Sequence, residues 1–208
     1  MTGGGFVSAA FWPPGAQHRL SVWQTNHRYR PSWAEKENYE MNTQLIPGGS
    51  LVVMVGSAAS GKSTLAARIA GDDRWAVISA DDVRGRLFGD PRAQGVIDVA
   101  HGDVHAVVRA EAAARLRQSL SVIVDATNLK GNDRTTLVEL GRALAVPVVA
   151  IIVHTPLEEC RRRNAGRERQ VPDHVLERHA TQMTSIRPRA LLKEGFDRVI
   201  EVDGTAMD

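Results

Sequence analysis

Cysteine is almost missing from this 208-residue chain, with Cys160 standing alone. One thiol closes no internal disulfide, so a disulfide-stapled scaffold is excluded and a reducing cytoplasm is the expected setting. Long apolar runs are missing as well. None reaches the ~20 residues that a helix needs to cross a bilayer. Nor does any charged start, apolar stretch and small-residue cleavage site read as a secretory leader, so no membrane partner is expected. Lysine is scarce, confined to Lys36, Lys62, Lys130 and Lys193, and arginine supplies nearly all the positive charge. Arginine suits planar, two-pronged phosphate recognition. A net charge of +2 is too small to establish a nucleic-acid partner by bulk attraction. Cys160 has no base to activate it and reads as a helix residue.

Aromatics are few, and seven of the ten fall within residues 1–48: Phe6, Phe11, Trp12, Trp23, Tyr29, Trp33 and Tyr39. That stretch also holds Gly3-Gly4-Gly5, Pro13-Pro14 and Pro31, with no sustained period of 3.6 or 2. It reads as an irregular arm or tail. Interleaved with Arg19, Arg28 and Arg30, its rings could stack on bases, but a tail that packs weakly on the domain or is largely disordered is the favoured reading. Met41 is a candidate natural start.

From residue 49 the pattern changes to one of alternation. Apolar, β-branched runs at Leu51–Val55, Trp75–Ser79, Ser121–Asp125, Val146–Val153 and Asp197–Val202 read as strands. Helical patterns cover Gly61–Ala70, about Val96–Gln118, about Asp133–Leu144, a segment opened by Pro156, and one from Pro172-Asp173 to about Met183. Strand-helix alternation predicts an α/β domain over 49–208 with a parallel sheet covered on both faces.

Between the first strand and first helix lies Gly56-Ser57-Ala58-Ala59-Ser60-Gly61-Lys62-Ser63-Thr64, a match to G-x-x-x-x-G-K-[ST]. The glycines let the backbone turn and approach phosphate closely. Successive N–H groups then line a concavity at the positive end of a helix. Lys62 is expected to neutralise the β- and γ-phosphates of ATP, and the Ser63 hydroxyl to bind the Mg²⁺ that rides on them.

Three other segments carry candidate chemistry. Ser79-Ala80-Asp81-Asp82-Val83-Arg84 follows the second strand, where ligands of open parallel sheets sit. A carboxylate there can take a proton from a hydroxyl, and an arginine can clamp a phosphate; a capped helix start is the plainer alternative. Asp125-Ala126-Thr127-Asn128 ends the third strand and could hold Mg²⁺ through water, orient a substrate, or simply form a turn. Arg161-Arg162-Arg163-Asn164-Ala165-Gly166-Arg167-Glu168-Arg169 is the strongest basic cluster. Arg163 and Arg167 are four apart and share one helical face, suited to a lid that stabilises a transferring phosphoryl group. Glu158, Glu159 and Glu168 could instead make parts of it a salt-bridged surface. His101 and His105 are also four apart but lack a third ligand, so they are expected on the helix surface.

Taken in order, these segments resemble the kinase domain of phage and bacterial repair-type 5′-hydroxyl polynucleotide kinases, over about residues 50–190. The family's aspartate-x-x-arginine box is matched by Asp81-Asp82-Val83-Arg84. Its aspartate-x-threonine-asparagine segment is matched by Asp125-Ala126-Thr127-Asn128, and its lid by Arg163-Asn164-Ala165-Gly166-Arg167 followed by Val171-Pro172. The resemblance implies a three-layer P-loop kinase fold of about five strands, in the order 2-3-1-4-5, with a helical lid around 156–172. It implies transfer of the γ-phosphoryl of ATP to the 5′-hydroxyl end of DNA or RNA. Asp81 would be the base, Arg84 the contact to a substrate phosphate, Asp125 and Asn128 part of the acceptor site, and Arg163 and Arg167 the lid residues. No phosphatase or ligase segment accompanies the kinase-like region, and the aromatic arm has no counterpart in the family. Related P-loop kinases act on sugars, nucleosides or antibiotics, so a small-molecule acceptor is the second reading. A module that hydrolyses ATP to drive a partner is the third. The adenine pocket and oligomeric state are not legible.

Overall fold

The computed structural model describes residues 46–89 and 97–207. The aromatic arm therefore lies outside the described residues up to 45, as do Met41 and the start of the long helical pattern at Val96.

Five strands form one parallel sheet: β1 (Leu51–Val55), β2 (Trp75–Ser79), β3 (Ser121–Asp125), β4 (Val148–His154) and β5 (Arg198–Asp203). Their order is β2-β3-β1-β4-β5, as the resemblance implies. The helices are α1 (Lys62–Ile69), α2 (Ala80–Phe88), α3 (Ile97–Leu116), α4 (Gly131–Leu144), α5 (Leu157–Ala165), α6 (Asp173–Met183) and α7 (Pro188–Glu194), and a short 3-10 turn covers Gly204–Met207.

β1 sits in the middle and all five of its side chains are fully buried. Strand side chains alternate between faces, so this one run feeds two cores. Leu51, Val53 and Val55 pack with Val83 of α2, Val104 and Val108 of α3, Leu137 of α4 and Leu191 of α7. Val52 and Met54 pack on the other face with Leu65, Ala66 and Ile69 of α1. Burying each such aliphatic side chain favours folding by roughly 1.5–3 kcal/mol, which makes the sheet centre a rigid platform. Ile46 joins the second core, just before the expected boundary at 49.

Several boundaries differ from expectation for local reasons. The fourth strand begins at Val148 rather than Val146. Ala145 takes a left-handed conformation (φ 54°) and Val146 N–H returns to the Gly141 carbonyl at 3.0 Å, closing α4 instead of starting a strand. The segment after β2 is a complete helix, capped by Ser79, whose Oγ accepts from Asp82 N–H at 3.2 Å. α7 has no clear periodicity in seven residues, and proline at its start marks it only weakly.

Candidate phosphotransfer site

The phosphate loop joins β1 to α1 at the carboxyl edge of the sheet. Gly61 has φ 96° immediately before α1, a conformation that favours glycine and that lets the loop N–H groups converge. Ala59 is also left-handed (φ 61°) and buried, a strain of about 1 kcal/mol for a residue with a Cβ. Contacts from four directions hold the loop. Gly56 N–H donates to Thr127 O at 3.0 Å, and Thr155 Oγ1 donates to Ser60 O at 2.9 Å. Arg163 Nη1 donates to Gly204 O at 2.9 Å and reaches Ser60 O at 3.5 Å. His179 Nδ1 accepts from Ala58 N–H at 3.3 Å. Gly204 is needed for this closeness, since a Cβ there would lie 1.9 Å from Thr155 Oγ1 and 2.6 Å from Ser60 O.

Lys62 is only 6% exposed. Its ammonium folds back onto the loop, donating to Ser57 O and, at 3.3 Å, to Ser60 Oγ. Burial pushes its pKa down to about 8, and the nearby charge of Arg167 adds to that, while Asp125 and Asp81 oppose it. Lys62, Asp81, Asp125 and Arg167, four of the expected site residues, thus share one electrostatic neighbourhood. A buried cation whose hydrogen bonds go to the neutral oxygens of Ser57 and Ser60 is a site prepared for an anion. Ser63 and Thr64, on the first turn of α1, are exposed. Hard oxygen donors from Ser63 and the Asp125 carboxylate fit Mg²⁺ carried on a triphosphate.

The opposing side is built differently. Ser79 of β2 pairs in register with Asp125 of β3, so both carboxylate segments emerge side by side. Asp81 and Asp82 sit in the first turn of α2, where negative charge complements the helix dipole. The Asp81 side chain is 72% exposed. It pairs with Arg84, and Arg169 Nη1 approaches it at 3.9 Å. Arg169 was not singled out in the sequence, because nothing local links it to a carboxylate 88 positions away.

Asn128 is nearly fully buried, with φ 46°. Its Nδ2 donates to Met54 O at 2.7 Å, tying the end of β3 to the end of β1, and its Oδ1 has no hydrogen-bond partner among the described residues. Arg134, also buried, donates to Asn128 O at 2.8 Å and makes a two-pronged pair with Glu194 of α7 at 2.7 Å. The basic cluster divides. Arg161 binds Glu158, Asp173 and Glu177, and Arg162 binds Glu159, so these two join α5 to α6 and to its own acidic face. Arg163 is 13% exposed, lies 2.7 Å from Glu159, and donates to Gly204 O at 2.9 Å while reaching Ser60 O of the loop at 3.5 Å. Arg167 is exposed yet near enough for Lys62 to feel its charge.

His105 departs from expectation. It is buried and its Nε2 lies 3.6 Å from Asp133 of α4, so it belongs to a helix-helix contact rather than the surface; the side chain of His101 lies outside the described residues. His154 pairs with Glu201 at 2.9 Å. Cys160 is buried, which pushes its thiol pKa up and leaves it a poor nucleophile.

Sheet order, phosphate loop and helices on both faces define a P-loop nucleotide-binding protein of kinase-like fold. The family model described as an AAA domain matches residues 51–188, and the chain belongs to that family. A chain in the structure of the Pnkp1/Rnl/Hen1 RNA repair complex is similar, at 26% identity and a TM-score of 0.58; the match covers 72% of this chain and 47% of that one. The present chain thus matches about half the length of that neighbour. Kti12 from Chaetomium thermophilum, solved in complex with ADP-AlF3, shares the fold at 19% identity and a TM-score of 0.55, over 74% of this chain and 88% of that one. A sugar kinase from Janibacter sp. HTCC2649 shares it at 21% identity and a TM-score of 0.52, over 76% and 87%. No curated protein matches the chain. Among the described residues, no helix is long and apolar enough to cross a membrane.

Proposed function

We propose that this protein is a kinase that moves the γ-phosphoryl group of ATP to a hydroxyl, and that the hydroxyl is the 5′ end of DNA or RNA. The observation that carries this is the placement of an exposed carboxylate, Asp81, between Arg84 and Arg169, at the strand edge that also holds the buried Lys62. A hydrolase needs only a held water; a carboxylate flanked by two guanidinium groups suits an acceptor that brings its own phosphate. A terminal nucleotide supplies a hydroxyl and a phosphate together. The likeness to a chain of an RNA repair complex supports the same acceptor, and the likeness to a sugar kinase is one of fold.

In this mechanism the loop N–H groups and Lys62 hold the β- and γ-phosphates, and Arg84 anchors the acceptor phosphate. Asp81 accepts the proton as the hydroxyl oxygen bonds to the γ-phosphorus. The bond from that phosphorus to the β-γ bridging oxygen breaks, and ADP leaves. Arg167 sits over the charge spread on the transferring oxygens, while Arg163 fixes the loop beneath it. Asp125, with Ser63, is the candidate holder of Mg²⁺, which when bound would offset charge on the phosphates. Asn128 supports the acceptor side from below the surface: its buried side chain ties the end of β3 to the end of β1. A cytoplasmic setting belongs to the same proposal, on the strength of the single buried thiol.

The test is incubation with γ-labelled ATP, Mg²⁺, 5′-hydroxyl DNA and RNA oligonucleotides, and a panel of small alcohols. Label on oligonucleotide 5′ ends is expected. Label confined to a small alcohol overturns the acceptor, and label released only as inorganic phosphate overturns the kinase.

A further inference from the structure

His179 has no role in that mechanism, yet it is a side chain from α6 that bonds the phosphate loop itself. Its Nδ1 accepts the Ala58 N–H at 3.3 Å across 121 positions of sequence. The bond falls where the loop is under most strain. Ala59, the next residue, is left-handed at φ 61° and buried, so the peptide between them has little freedom and no compensating glycine. An imidazole can hold an amide in this way only while it is neutral. Burial, then the charges of Lys62 and Arg178, push its pKa down to about 4, so the neutral form prevails at ordinary pH. With Nδ1 accepting, the proton resides on Nε2.

We propose that His179 is a positioning residue for the triphosphate: by holding the Ala58 amide it keeps the loop in the shape that receives phosphate, and it thereby couples α6 to nucleotide binding. The geometry favours this over a merely packed histidine. α6 needs no polar residue at this point for its own sake; its Leu176 already provides the buried anchor. The bond also places the arginine-bearing segment and the loop on one strut, because α6 is tied to α5 by Arg161 through Asp173 and Glu177. Removing His179 leaves Ala58 N–H unheld and lets the Ala58–Ala59 peptide relax away from its left-handed setting. The inference rests on the loop holding a triphosphate and is independent of the identity of the acceptor.

Binding of a non-hydrolysable ATP analogue with Mg²⁺, measured by calorimetry without any acceptor, tests it. His179→Ala is expected to weaken binding about three- to tenfold, the loss of one neutral hydrogen bond. His179→Asn, whose Oδ1 stands where Nδ1 stood, is expected to restore binding to within about twofold, which a purely steric role of the ring would not predict. In the unmodified protein, long-range ¹⁵N–¹H spectra should show His179 as the Nε2–H tautomer. Unchanged or tighter binding in His179→Ala, or a proton on Nδ1 in the free protein, overturns the proposal. The tautomer measurement stands even if a variant does not fold. Failure of oligonucleotide phosphorylation would overturn the proposed acceptor and leave this result untouched.

Discussion

The two sides of the candidate site are made of opposite materials. On the phosphate-loop side the key charge, Lys62, is 6% exposed, and the backbone around it is held by contacts from Thr127, Thr155, Arg163 and His179. Across from it, the key charge, Asp81, is 72% exposed, and its partners are the side chains of Arg84 and Arg169 rather than backbone. A buried site with fixed donors recognises one kind of ligand, because any other leaves polar groups unsatisfied. An exposed carboxylate edged by guanidinium groups recognises a charge pattern and tolerates variation in what bears it. This contrast explains why the triphosphate is evident from the loop alone and the acceptor is not.

The contrast can be broken by substitutions on either side. Asp81→Asn should lower turnover about 10²- to 10⁴-fold, the usual contribution of a positioned base, in a steady-state transfer assay with saturating acceptor. Near-normal turnover would remove Asp81 from the reaction. Arg167→Ala should follow, with a loss of about 10²- to 10³-fold in kcat, if its charge serves the transition state rather than the resting nucleotide. A rise in the KM for ATP alone would assign it to ground-state binding. Arg84→Ala should raise the acceptor KM about ten- to hundredfold with little change for ATP, since one charge-assisted phosphate contact is lost. Equal loss for both substrates would mean that the pair with Asp81 supports α2 rather than the acceptor.

The smallest effect concerns Lys62 and protons. Its pKa near 8 in the free protein lies well below the ordinary 10.5 because burial disfavours the charged form. A bound triphosphate favours that form and must raise the pKa. Nucleotide binding between about pH 8 and 10 should therefore take up a fraction of a proton, seen as a dependence of binding heat on buffer ionisation enthalpy. Linkage in the free protein has a fixed sign: over the same window the unfolded chain binds the proton more readily, so stability rises with pH as the buried ammonium is neutralised. No proton uptake would mean that Lys62 is already compensated before nucleotide arrives.

How much of this was legible in the sequence follows the same division. The loop and the strands around it were readable because each rests on contiguous residues, as in Leu51–Val55 running into Gly56–Thr64, whereas the sheet order pairs strands distant in sequence and came only with the family resemblance. Asp81 and Arg84 were readable as a pair because α2 brings positions three apart together. What was missed depends on contacts between distant positions. His179 meets Ala58, Arg169 meets Asp81, and Arg134 meets both Asn128 and Glu194. Nothing in an isolated histidine on an amphipathic helix announces a loop amide as its partner. The division of the basic cluster was legible in part, with Arg163 and Arg167 set apart and Glu158 and Glu159 offered as partners for the rest; that Asp173 and Glu177 of α6 also engage Arg161 is decided only by the fold. His105 was expected on the surface for the same reason, since Asp133 lies on another helix.

The central claim is that the nucleotide side is complete on its own and independent of the acceptor side. Calorimetric titration of a non-hydrolysable ATP analogue with Mg²⁺ into wild type, Lys62→Ala, Asp81→Asn and Arg84→Ala, with no acceptor present, tests it most directly. Asp81→Asn and Arg84→Ala are expected to bind as wild type does, while Lys62→Ala is expected to lose binding. Comparable weakening in Asp81→Asn and Lys62→Ala would contradict it.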